Sequence, residues 1–146
     1  IIEDGAITQA GSVEDIRRRP ATPYVAALAG LNLLNGTNDG GTVTLDDHPP
    51  HILQSADTAT TGPVLVTIHP NAIALHAEQP HGSPRNTWRS AVVNVEPLGD
   101  ITRITLAEPL PLNVDVTLAA TAALGLAPGK EVWASIKATE INLNPA

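Results

Sequence analysis

From residue 31 to its end, this chain is written in short apolar runs of Val, Ile, Leu and Thr, separated by Gly, Pro, Asn and Asp. β-Branched side chains suit a pleated, half-buried surface, and the intervening residues favour turns. The pattern predicts strands at 33–37, 41–45, 64–69, 73–76, 90–97, 101–106, 112–117, 131–137 and 140–144. Short strands at this spacing imply a small all-β barrel or sandwich. One short helix is expected at 118–124, with Thr117 as its cap and Gly125 as its stop. Residues 46–63 are turn-rich and read as a long exposed loop.

Residues 1–30 have a different character. Asp4-Gly5 between short apolar runs predicts a β-hairpin over residues 1–11. Ser12-Val13-Glu14-Asp15 is a capping pattern for a short helix that must stop before Pro20. Thr22-Pro23 starts a second helix, which Gly30 ends.

Two stretches repeat. Residues 64–75 align with residues 132–143: Val64, Ile68, Ile73 and Leu75 meet Val132, Ile136, Ile141 and Leu143. Thr67 meets Ser135, and His69 meets Lys137. Upstream, Asn32-Leu33-Leu34-Asn35-Gly36 resembles Asn86-Thr87-Trp88-Arg89-Ser90. The reading is two copies of one β-unit, residues 31–79 and 80–146.

Composition excludes several functions. A formal charge of −7 argues against nucleic-acid backbone binding, which needs clustered cations. Aromatics are 2% with no Phe, so a base-stacking platform is not expected. No Cys is present, which removes disulfides, thiolate metal sites and a Cys nucleophile. The five His (48, 51, 69, 76 and 81) lack the helical spacing of a zinc site. No stretch approaches the roughly 20 apolar residues of a membrane span, and no signal peptide is visible. A soluble cytoplasmic domain is expected. The chain opens without Met inside an apolar pattern and is read as a piece of a longer protein.

Outside Arg17-Arg18-Arg19, the cations are Arg85, Arg89, Arg103, Lys130 and Lys137. Two of these five fall in segments that mix a cation with small hydroxyl or amide side chains: Ser83-Pro84-Arg85-Asn86-Thr87-Trp88 and 132–141, which contains Ile136-Lys137-Ala138-Thr139. A tetrahedral oxyanion needs that mixture of charge and short donors. The competing reading of Arg85 and Lys137 is surface ion pairing, worth about 0–1 kcal/mol each. Asn86 is expected to tie backbone, and Ser135 to alternate with core-facing neighbours. Trp88 and Trp133 are expected in the core or a subunit interface.

These residues carry a family resemblance. Residues 1–30, through Glu3-Asp4-Gly5-Ala6-Ile7 and Thr22-Pro23-Tyr24, resemble the end of an ABC-transporter ATPase domain. Residues 31–146 resemble the transport-associated OB-like (TOBE) region of importer ATPases, most of all the molybdate-import ATPase. Ser83-Pro84-Arg85-Asn86-Thr87-Trp88, Val116-Thr117, residues 124–129 and residues 132–139 carry that resemblance. It implies OB-like barrels built from two related β-units, after a hairpin and two short helices. It also implies a non-catalytic regulatory domain, with Ser83, Arg85, Asn86, Lys137, Ala138 and Thr139 around molybdate or tungstate. No other cofactor is expected. The implied partners are a second copy in a homodimer and, through the parent ATPase, permease subunits at the cytoplasmic face of the membrane.

The chain lacks the Gly-Lys-Ser/Thr phosphate loop, so no ATP hydrolysis is expected of it. It departs from the family at Pro84, which has no backbone N–H. Residues 31–79 carry no Ser-x-Arg before Leu31-Asn32 and have His69 in place of the lysine, which counts against an equivalent second anion site. The alternatives are a dimerisation domain with no ligand, or a regulatory domain of an importer for another solute.

Overall fold

The computed structural model describes residues 30–46, 51–82 and 86–146, together with the backbone of two short strands near the start. Those strands, β1 (Ile2–Glu3) and β2 (Ala6–Ile7), pair antiparallel as the Asp4-Gly5 signal predicts. The two helices expected between residues 12 and 30 lie outside the described residues.

Beyond them the chain forms two compact units, residues 1–69 with 139–146 and residues 70–138. The first unit holds β3 (Asn32–Asp39), β4 (Thr42–Leu45), β5 (Ile52–Gln54), β6 (Gly62–Ile68) and β12 (Asn142–Pro145), in the order β12-β6-β3-β4-β5. The second holds β7 (Ala74–His76), β8 (Asn86–Leu98), β9 (Ile101–Leu106), β10 (Asn113–Thr117) and β11 (Glu131–Ile136), in the order β10-β9-β8-β11-β7. Read from the other end, the second order repeats the first. All neighbours are antiparallel.

The duplication extends to register. Asn32 pairs with Ile68 as Asn86 pairs with Ile136, and Leu34 with Val66 as Trp88 with Ala134. A 3-10 turn follows the second strand of each pair, at Pro70–Ala72 and at Ala138–Glu140. The strand after that turn joins the sheet of the other unit. β7 pairs with β11, and β12 with β6, again in one register: Leu75 opposes Ala134 and Leu143 opposes Val66. The units therefore do not coincide with 31–79 and 80–146, because each is completed by a strand from the other half of the sequence.

Local chemistry explains the elements. In β3, Asn32, Leu34, Gly36 and Asn38 are buried in strict alternation. The β3–β4 turn uses Gly40 and Gly41 at φ 60° and 101°, the double left-handed geometry of a tight hairpin that only glycine adopts cheaply. Residues 64–68 are buried at every position, as in a strand covered on both faces. Val43, Leu45, Leu53, Val64, Val66, Ile68 and Leu143 form the first unit's core; Trp88, Ile104, Leu106, Leu110, Val114, Val132 and Ile136 form the second's.

The described helix, α1 (Leu118–Leu124), has the predicted ends. Thr117 accepts from the Ala120 amide at 3.0 Å, and Gly125 stops it in the left-handed region at φ 60°. The loop expected over 46–63 is interrupted by β5, which pairs with β4. Three residues are too few to show alternation in sequence. Strand β8 runs 13 residues, starting at Asn86 rather than at Ser90, and shifts register between Val92 and Asn94.

Candidate functional site

Asn86 opens β8, and Ile136 closes β11 as its partner in the antiparallel ladder. The Asn86 side chain is buried at 5% exposure, and its Nδ2 donates to the Ile136 carbonyl at 3.3 Å. The residue thus ties backbone, as its type predicts. Lys137 leaves the strand one position later and is exposed; Ala138 follows, half-buried, as the first residue of the 3-10 turn. Three of the six candidate residues therefore lie at one end of one strand pair. Thr139, also exposed, is the first residue of the return segment of the other unit. Ser83 and Arg85 lie outside the described residues.

The cations of the second unit differ in their partners. Arg89 is matched with Glu131 on the neighbouring strand. Arg103 donates to Asp115 through Nε at 2.8 Å and Nη2 at 3.0 Å, and that hydrogen bonding holds the guanidinium above its ordinary pKa. Lys137 makes no ion pair among the described residues. No group of three His, Asp or Glu suited to a metal ion occurs among the described residues.

Two neighbouring side chains differ from the simplest expectation. Ser135, expected to alternate with core-facing neighbours, is itself buried between two buried residues, and its Oγ lies 2.8 Å from His76 Nε2. Sequence reading left His76 unassigned, because its contact depends on β7 joining β11. Trp88 is 5% exposed, which makes it a core residue. It stands opposite Ala134, whose small side chain leaves room for the indole. Trp133 is half-buried and pairs with His76.

In the first unit, Asn32, Ile68 and His69 occupy the places of Asn86, Ile136 and Lys137. Thr67 takes the place of Ser135. It is fully buried, and its Oγ1 has no hydrogen-bond partner among the described residues.

Residues 82–143 match the TOBE domain family. The whole chain aligns at 34% identity with the molybdenum import ATP-binding protein ModC of Mycobacterium tuberculosis, over 41% of that protein's length. It aligns at 29% identity, over 97% of the chain, with the molybdate/tungstate import ATP-binding protein WtpC of Pyrococcus horikoshii, over 40% of its length. The chain thus spans about two-fifths of these relatives. Among solved structures, the cytoplasmic molybdate-binding protein ModG, with molybdate bound, superposes with a TM-score of 0.68. The match covers 79% of this chain and 96% of that one at 23% identity, and it shows that the two share a fold of curled OB-like sheets.

Proposed function

With residues 82–143 a TOBE domain, and the whole chain homologous to part of the molybdenum- and tungstate-import ATP-binding proteins, we propose that this protein binds a molybdate-class oxyanion. In this reading it is the regulatory portion of an importer's ATP-binding subunit. The observation that carries the reading is the Asn86–Ile136 pairing, which sets a buried amide beside the turn bearing Lys137 and Ala138. Lys137 neutralises charge, and amide and hydroxyl donors fix the tetrahedral geometry, with Ser83, Arg85 and Thr139 completing the set. ModG, which shares the fold, is described as molybdate-binding, and the sequence relatives as importers of molybdate or tungstate.

Regulation follows from differential affinity. An anion that prefers one arrangement of a two-fold dimer shifts the parent toward that arrangement. ATP hydrolysis, the permease contact and residence at the cytoplasmic face of the membrane belong to the larger protein in this proposal. The second reading is a dimerisation module without a ligand. Pro84 favours it, because a proline in the candidate loop offers no N–H.

Titration calorimetry with molybdate, tungstate and sulfate separates the two. Binding is expected for molybdate and tungstate, and Lys137→Ala is expected to weaken it by about 1.5–3 kcal/mol, the scale of a hydrogen bond to a charged group. Folded protein that gives no heat, and no rise in melting temperature, with millimolar molybdate would overturn the oxyanion reading.

A further inference from the structure

Helix α1 has its polarity inverted. A surface helix turns an apolar stripe to the core and polar residues to water. In α1 the exposed positions are Leu118, Ala119, Ala122 and Ala123, which fall on one face at 3.6 residues per turn, and each is apolar. The half-buried positions are Ala120, Thr121 and Leu124. They include the helix's one polar residue, Thr121, whose hydroxyl donates back to the Thr117 carbonyl at 2.9 Å. No residue of the helix is buried. Packing within the second unit therefore does not account for its apolar face.

That face continues onto the sheet. Thr117, the last residue of β10, pairs with Ile101, which pairs with Leu98, and α1 lies against β9 and β10. Leu98 is 40% exposed and Leu118 is 53% exposed. Four large apolar side chains are exposed among the described residues, and these two belong to one corner of the second unit. The others, Ile52 and Val93, lie in β5 and at the register shift of β8.

Charge decides what can cover this corner. Residues 116–128 carry no Asp, Glu, Lys or Arg, while the whole chain carries −7. A basic partner is attracted to the acidic remainder of the chain rather than to α1. Another copy of the chain is repelled by that remainder and meets no like charge on the helix. A two-fold axis beside α1 sets the same uncharged face against itself, the isologous geometry of the commonest assemblies. Asp100, in the turn between Leu98 and Ile101, leaves one carboxylate at the rim.

We infer that the α1 face, with Leu98 beside it, is a contact surface for a second copy of this chain. A helix of seven residues offers far less than the roughly 800 Å² per partner of a standard interface. The contact is therefore weak between free chains and gains effect where a larger assembly holds two copies together. It does not depend on the oxyanion reading.

Sedimentation velocity of the whole chain, without added oxyanion, from micromolar to millimolar concentration and at low and high sodium chloride, tests the inference. The expected result is a reversible monomer–dimer equilibrium that tightens as salt screens the net charge. Leu118→Glu and Ala122→Glu should each weaken the dimer at least tenfold. Ile52→Glu, at a similarly exposed apolar residue of the first unit, should leave it within twofold of the parent. All three positions are exposed, and circular dichroism checks that each variant is folded. A single-chain mass at every concentration and salt overturns the inference. So does a dimer that both helix variants leave unchanged, or one that Ile52→Glu alone dissolves. With no oxyanion present, none of these outcomes bears on molybdate binding, which calorimetry reads separately.

Discussion

Asn38 offers the most direct test of what holds the first unit together. It is 2% exposed and uses its whole amide. Nδ2 donates to the carbonyls of Asp57 at 3.1 Å and Thr60 at 2.6 Å, while Oδ1 accepts from the Gly41 amide at 3.1 Å. One side chain thus joins the β3–β4 turn to the loop that leads into β6. Asn38→Ala removes three hydrogen bonds with a net value of about 1 kcal/mol each. The loop carbonyls recover water, but the buried Gly41 N–H does not, so the loss stays near the full sum, about 3–4 kcal/mol. For a urea slope of about 2 kcal/mol/M, the unfolding midpoint falls by about 1.5–2 M. Asn38→Asp keeps the acceptor for Gly41 but turns a charged oxygen toward two carbonyls. Its deficit relative to the parent should match that of the alanine variant at pH 7 and shrink when the carboxyl protonates and can donate again. A loss below about 1 kcal/mol in Asn38→Ala, with the urea slope unchanged, would show that the loop is held by other contacts, such as the Asp57 carboxylate to the Ala59 and Thr60 amides.

Two further perturbations follow from single side chains. Asp115→Asn should cost about 0.5–1 kcal/mol, a modest value for a partly exposed pair. The hydrogen bond to Asp115 raises the Arg103 pKa above its ordinary value, so its contribution is fully present below that ordinary value and is lost only as pH rises through the folded pKa; chemical denaturation from pH 6 to 10 should therefore give a constant difference. Thr67→Val removes a buried hydroxyl that has no partner among the described residues and keeps the side-chain shape, so a thermal melt should show unchanged or higher stability, by up to about 1 kcal/mol.

Much of this architecture was legible because its local signals agree with its tertiary demands. Thr117 and Gly125 bound α1 where their chemistry places a cap and a stop. Burial alternates along β9, and residues 103–106 alternate polar and apolar in step with it. The aligned pairs Val64 with Val132 and Ile68 with Ile136 occupy equivalent positions in two sheets of equal order. The failures share one cause. β5 and the first residues of β8 are strands only because a neighbour pairs with them, and Ile52-Leu53-Gln54 has no period of its own.

The strand exchange was hidden for a deeper reason. Sequence similarity reports that residues 74–76 and 142–144 are equivalent, but equivalence is the same whether each strand returns to its own unit or crosses to the other. The burial pattern does not distinguish the two cases either, since Leu75 and Leu143 each meet a small or β-branched residue, Ala134 or Val66, in one common register. Only the connection decides. That choice has chemical consequences inside each unit. Because β7 joins β11, the His76 ring reaches the Ser135 hydroxyl at 2.8 Å. Because β12 joins β6, the Ile141 carbonyl just before it accepts from the Ser55 hydroxyl at 3.1 Å, across 86 residues of sequence. Both contacts bury a serine whose partner the sequence alone does not name, since the partner is set by the connection and not by any local period.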